Sequence, residues 1–212
     1  EHLMTGHTHR ILSLDGGGIR GIMTAVWLTE LEKKLGGPII DHVDLVAGTS
    51  TGSILACGLG VGLSPARLLD LYMQRGREIF PAPMARRWNR VTRLFSDGIS
   101  APRYDGEGLE LVLREYLSDA VLGDVKKPTL VVTYDIFGRS TRVLKSNKET
   151  HRQLPLWKVV KASCSAPTFF PCQPVEIEGA LVPLVDGGVS ANDPVVCAIA
   201  EAVQINNQNS PE

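Results

Sequence analysis

The stretch VDLVAGTSTGSILACGL, residues 43–59, decides the fold. Val43 to Ala47 is a short apolar run of strand length, and Ser53 to Leu59 reads as the helix that follows. Between them stands Gly48-Thr49-Ser50-Thr51-Gly52, a G-x-S-x-G sequence. A strand that feeds a helix through so short a turn needs small residues on both sides of Ser50. Such a turn lifts the serine hydroxyl out at the carboxyl edge of a sheet and sets the following amides at a positive helix end. A turn of this composition is also an ordinary strand–helix connection, and short motifs arise by chance. The chemistry of Ser50 therefore depends on what the rest of the chain brings to it.

Upstream the same order occurs. Arg10 to Asp15 (RILSLD) reads as a buried strand, a glycine cluster follows, and Ile19 to Leu35 is helical, with Ile22, Val26, Leu28 and Leu31 at roughly helical spacing. Gly36, Gly37 and Pro38 stop that helix. Downstream, Ser64-Pro65 starts a helix that runs to about Phe80. Met84 to Ser100 has no clean period, and Asp105 to Leu117 is helical again. Thr129 to Phe137 is rich in β-branched residues and pairs with Thr141 to Leu144 across Gly138-Arg139-Ser140. Leu156 to Ala162 reads as helix, Ala180 to Val185 as strand and Pro194 to Val203 as a last helix. Strands alternating with helices predict an α/β fold, a mostly parallel sheet with helices on both faces. One domain is expected over residues 10–205. Residues 64–122 interrupt the alternation as a helical insertion of the kind that covers active sites. Residues 1–9, with His2, His7 and His9, read as a leader or as residue left from expression, and residues 206–212 as a disordered tail.

Asp15-Gly16-Gly17-Gly18-Ile19-Arg20-Gly21 follows the first strand. It contains G-x-G-x-x-G, which also fits a dinucleotide site. That site requires an acidic residue about 20 positions further on, at the end of the second strand. Here that strand ends in Gly48-Thr49-Ser50, and Asp41 and Asp44 lie before it or at its start, so a nucleotide-binding module is the weaker alternative. The other use of such a loop is to present bare backbone N–H groups to an oxyanion. Arg20 either orients the loop, meets a phosphate or is a plain surface arginine.

A serine nucleophile needs a base within hydrogen-bond reach. No histidine follows Asp186, and His151 alone lies between Ser50 and Asp186, in a polar stretch (Ser146 to Gln153) that reads as a loop. Asp186-Gly187-Gly188 closes a strand, so an aspartate acting directly on serine is the economical reading.

Composition narrows the function classes. The 212 residues carry a net charge of −1, which provides no global basic field for nucleic acid. No run of 18 apolar residues occurs, so nothing in the sequence reads as a membrane span. The four cysteines make no C-x-x-C pair and read as reduced thiols of a cytoplasmic protein. Met84 to Phe95 (MARRWNRVTRLF) has four arginines and no acids, with Trp88, Val91, Leu94 and Phe95 between them. It reads either as a solvated loop with one packed tryptophan or as a peripheral contact with an anionic bilayer.

Taken together, the DGGGIRG loop, the GTSTG turn and the later DGG, with KASCSAPTFFPCQP (Lys161 to Pro174) ahead of it, resemble the patatin-like phospholipases over roughly Arg10 to Val203. The resemblance implies a three-layer α/β/α sandwich. It implies a dyad of Ser50 as nucleophile and Asp186 as general base, with oxyanion donors from Gly16, Gly17 and Gly18. Asp15, Arg20, Gly21, Gly48, Gly52, Gly187 and Gly188 support that motif set. It further implies Ca²⁺-independent release of fatty acids from membrane phospholipid or galactolipid, with no cofactor and no metal. Many members run longer after their DGG than this chain, and the resemblance leaves substrate-binding surface from that region open. Transfer of the acyl group to another acceptor uses the same acyl-enzyme and stays open, as does a lipid-binding relic without turnover.

Overall fold

The computed structural model describes residues 8–79 and 104–209. Its sheet is built from β1 (Ile11–Leu14), β2 (Leu45–Thr49), β3 (Thr129–Asp135), β4 (Ser140–Lys145), β5 (Gln173–Ile177) and β6 (Ala180–Asp186). The helices are α1 (Gly21–Leu35), α2 (Thr51–Gly60), α3 (Pro65–Ile79), α4 (Glu107–Leu117), α5 (Glu149–Arg152), α6 (Leu156–Ser163) and α7 (Val195–Asn209). The strand order is β1-β2-β3-β6-β5, with β4 also on β3. β1, β2 and β3 are mutually parallel. β6 runs against β3 and β5 against β6, so β5 points the same way as the first three. The result is a mixed, mostly parallel sheet.

All five residues of β2 are buried because both faces of the sheet are covered. Side chains alternate across a strand. Val46 and Val131 therefore join the larger core with Leu28 of α1, Leu55 of α2, Leu71 of α3 and Leu113 of α4. Leu45, Ala47 and Leu130 face the other way and pack on Ala198 of α7. Helices thus lie on both faces, as the three-layer reading requires.

One feature of β3 creates the site. β4 pairs with Leu130 to Asp135 and occupies one edge. The other edge is shared: β2 pairs with Thr129 to Val132, and β6 with Thr133 to Asp135. β2 runs with β3 and β6 against it. Their carboxyl ends therefore meet head on, with Thr49 opposite Val132 and Asp186 opposite Thr133. Ser50 and Asp186, 136 positions apart in sequence, are brought together by register.

The sequence reading differs from the structure in places with clear causes. It gave no strand at β5, where Pro174 breaks the pattern; β5 is an edge strand, which tolerates proline. Its hairpin to β6 turns through Glu178 and Gly179, both at positive φ, as a two-residue type I′ turn demands. The stretch around His151 read as loop contains α5, a single turn of helix. A 3₁₀ turn, Gly18–Arg20, precedes α1. The last helix runs on to Asn209 rather than ending at Val203; His9 Nε2 and Asn206 Oδ1 lie 2.7 Å apart, tying that end to the segment before β1. The basic segment Met84 to Phe95 lies outside the described residues.

Candidate active site

Ser50 sits between β2 and α2 at φ 53°, ψ −128°. A non-glycine residue with positive φ is strained and persists only where its surroundings hold it. Several contacts do so. Its carbonyl accepts from Ser53 N at 2.8 Å and Ser53 Oγ at 2.6 Å. Its amide donates to Ser163 Oγ at 2.8 Å. Gly52 is required because a Cβ there would collide with the Leu14 carbonyl of β1.

Asp186 ends β6 and is 6% exposed. Ser50 Oγ donates to its Oδ2 at 2.6 Å, and Gly188 N donates to its Oδ1 at 2.7 Å. Its own amide donates to the Ser165 carbonyl at 3.0 Å. Burial lifts the Asp186 carboxyl above its ordinary value of 3.8, and the bonds from Ser50 and Gly188 only partly oppose this. Gly187 packs on the Val132 carbonyl, where any side chain would collide.

The glycine loop lies against the same serine. A Cβ on Gly16 would stand 3.0 Å from the Ser50 Cβ. Its amides are not equivalent. Gly16 N donates to the Asn192 carbonyl at 3.2 Å, and Gly17 N to Thr51 Oγ1 at 3.1 Å. Among the described residues, Gly18 N has no hydrogen-bond partner, and Gly18 is at φ 57°. Arg20 folds back on the loop, with Nε 3.4 Å from the Gly17 carbonyl. Asp15 is exposed, and its carboxyl is raised by partial desolvation and then by Asp193. Gly48 and Gly21 are packing positions, against Gly52 and Tyr72 respectively.

Three contributors escaped the sequence reading. Asn192 grips the loop twice, through its carbonyl and through Nδ2 to the Gly16 carbonyl at 3.1 Å. Thr51, a variable position of G-x-S-x-G, accepts from Gly17. Ser163 ends α6 and bonds to Ser50. The only available signal was small polar residues beside recognised motifs, in GGVSANDP and KASCSAP. His151, by contrast, belongs elsewhere. Its Nδ1 accepts from Lys145 N of β4 at 3.1 Å, and burial first, then nearby cations, push its pKa down to about 4.

A cavity of about 1060 Å³ opens over Ser50 and Asp186. Ile54, Tyr72, Ile79, Leu109 and Phe170 form apolar walls. Ile19 and Met73 line it and are 46% and 67% exposed, so the mouth carries an apolar rim. A cavity of this size and lining suits a long apolar group, with a few polar atoms at one end to orient it. A hydroxyl bonded to a carboxylate of raised proton affinity, beside a backbone amide with no partner among the described residues, can perform nucleophilic acyl transfer.

Residues 12–199 match the family model described as patatin-like phospholipase. Patatin-like protein 2 of Oryza sativa subsp. indica is 34% identical over 214 residues, covering 90% of this chain and 52% of its own length. The cGAMP-activated phospholipase of Pseudomonas aeruginosa is 33% identical over 203 residues, covering 93% of this chain and 58% of its own. This chain thus spans somewhat more than half the length of these relatives. In fold it is similar to VipD from Legionella pneumophila, with a TM-score of 0.53 at 18% identity over 85% of this chain and 46% of that one. By the family match along almost its whole length, the chain belongs to the patatin-like phospholipases.

Proposed function

We propose that this protein is a Ca²⁺-independent lipid acyl hydrolase that cleaves fatty acyl esters of membrane phospholipid or galactolipid through a Ser50–Asp186 dyad. The observation that carries the proposal is the 2.6 Å bond from Ser50 Oγ to Asp186 Oδ2 at the floor of an apolar cavity. Ser50 Oγ attacks the ester carbonyl carbon while Asp186 takes its proton. The tetrahedral oxyanion is met by the Gly16–Gly18 turn, foremost by Gly18 N, which has no partner among the described residues. As the ester C–O bond breaks, Asp186 returns the proton to the departing alkoxide and leaves an acyl-enzyme. Asp186 then takes a proton from water, whose oxygen attacks the acyl carbon, and the released Ser50 oxygen takes that proton back. An ordinary aspartate is a weak base at neutral pH; burial of Asp186 improves the match. Ester over amide is expected, because an alcohol leaves more readily than an amine.

The apolar rim at Ile19 and Met73 supports peripheral contact with a bilayer, from which a lipid tail would enter the cavity. Among the described residues, no helix is long and apolar enough to cross a membrane. Four unpaired thiols support a cytoplasmic setting. The test is hydrolysis of phospholipid vesicles by the parent chain and by Ser50→Ala, with products resolved with and without added alcohol. Free fatty acid from the parent alone supports the reading. Fatty acid released equally by Ser50→Ala overturns it, and acyl transfer to the alcohol in preference to water makes the protein a transferase.

A further inference from the structure

We propose that Ser163 is a positioning residue whose hydroxyl holds the backbone of Ser50 in the turned-out conformation that aims Ser50 Oγ at Asp186. The proposal rests on reading Ser50 and Asp186 as a dyad and adds a residue that takes no part in bond making.

The Ser163 side chain is fully buried at the carboxyl end of α6. Its Oγ accepts from Ser50 N at 2.8 Å and donates to the Val132 carbonyl at 2.7 Å. The direction of both bonds is fixed, because an amide can only donate and a carbonyl only accept. The place of this hydroxyl in the sheet gives it meaning. The β2–β3 ladder ends at Thr49 opposite Val132, the last pair before the chain leaves the strand. Where the next contact along β3 would fall, one oxygen is inserted between Ser50 N–H and that strand. The chain can therefore turn away into α2 at positive φ without leaving a buried amide unsatisfied.

Val132 is also the point at which β6 arrives on the same edge of β3, one position before Thr133 and its partner Asp186. Two residues beyond Ser163, the Ser165 carbonyl accepts from Asp186 N at 3.0 Å. One short segment, Ser163 to Ser165, thus grips the backbone of the nucleophile and that of the base, and its spacing fixes their separation. Without the Ser163 hydroxyl, Ser50 N–H has either no buried partner or must close back toward β3, drawing Ser50 Oγ off Asp186.

Three variants of the whole chain, assayed on a short-chain soluble ester and with a fluorophosphonate, provide the test. Ser163→Ala is expected to lower kcat about 10- to 100-fold, the order of effect of a misplacement near 1 Å, with KM little changed. Labelling of Ser50 should slow by the same factor. The acid limb of the kcat profile should move to higher pH, because the Ser50 bond that holds the Asp186 carboxyl down is weakened. Ser163→Cys keeps the volume but donates and accepts weakly, and should fall between parent and Ser163→Ala; it carries the test if Ser163→Ala does not fold. A folded Ser163→Cys or Ser163→Ala with the parent's kcat and acid limb, whatever its melting temperature, overturns the positioning role. Ser50→Ala is run alongside. If it keeps activity, the dyad itself fails; if it is inactive while the folded Ser163 variants keep the parent's kcat and acid limb, the positioning role alone fails.

Discussion

Among the described residues two carboxylates are buried, and they are partnered differently. Glu201 in α7 is 3% exposed. Its oxygens meet the Lys145 ammonium of β4 and Asn147 Nδ2, the latter at 2.8 Å. A buried charge beside a cation of opposite sign is a structural tie, here joining the last helix to the sheet. Asp186 is 6% exposed, but its partners are a hydroxyl and a backbone amide, both neutral. Desolvation therefore dominates and its proton affinity rises. The difference is that of a carboxylate tied to a cation across two elements against one with neutral partners and a raised proton affinity.

Asp186→Asn should lower kcat by roughly 10³–10⁴-fold, by analogy with removal of single members of other catalytic sets. The same change should not lower the melting temperature at pH 7. A folded-state pKa above the unfolded 3.8 means that the carboxylate loses stability as pH rises through that window, and the amide escapes this loss. Glu201→Ala should do the reverse. Leaving Lys145 without its partner should destabilise the chain by about 2–3 kcal/mol in urea unfolding, below the fully buried range because Lys145 is 27% exposed. Esterase kcat should then stay within about twofold of the parent.

The kcat/KM profile should fall on the acid side with a midpoint above 3.8, as Asp186 takes up its proton. His151 contributes a separate, purely structural acid sensitivity. Its folded pKa of about 4 lies below the ordinary 6.5, so the unfolded chain binds the proton first. Stability should be lost as pH falls from about 6.5 towards 4, and His151→Gln should flatten that slope in thermal unfolding followed by circular dichroism. Smallest of all is the effect of EDTA, which should leave the initial rate of vesicle hydrolysis unchanged.

Much of this was legible in the sequence, and the limit has a physical cause. β2 and its elbow could be read because a continuous apolar run, a small-residue turn and a helix are local signals. Asp186 could be chosen because the chain has no suitably placed histidine. The meeting of the two residues could not be read: it depends on β2 and β6 sharing one edge of β3, and register between distant strands leaves no local mark. Ser163 and Asn192 were hidden for the same reason, since a serine at a helix end and an asparagine in a turn are ordinary until their partners are known. The inequality among Gly16, Gly17 and Gly18 follows from where Asn192 and Thr51 fall in space.

The most direct test of the dyad is the rate and site of fluorophosphonate labelling, read by peptide mass spectrometry in the parent and in Asp186→Asn. The expected result is a single adduct on the peptide carrying Ser50, formed at least 100-fold more slowly in the variant, as loss of a base within hydrogen-bond reach requires. An adduct on another residue, or equal labelling rates in the two proteins, would contradict it.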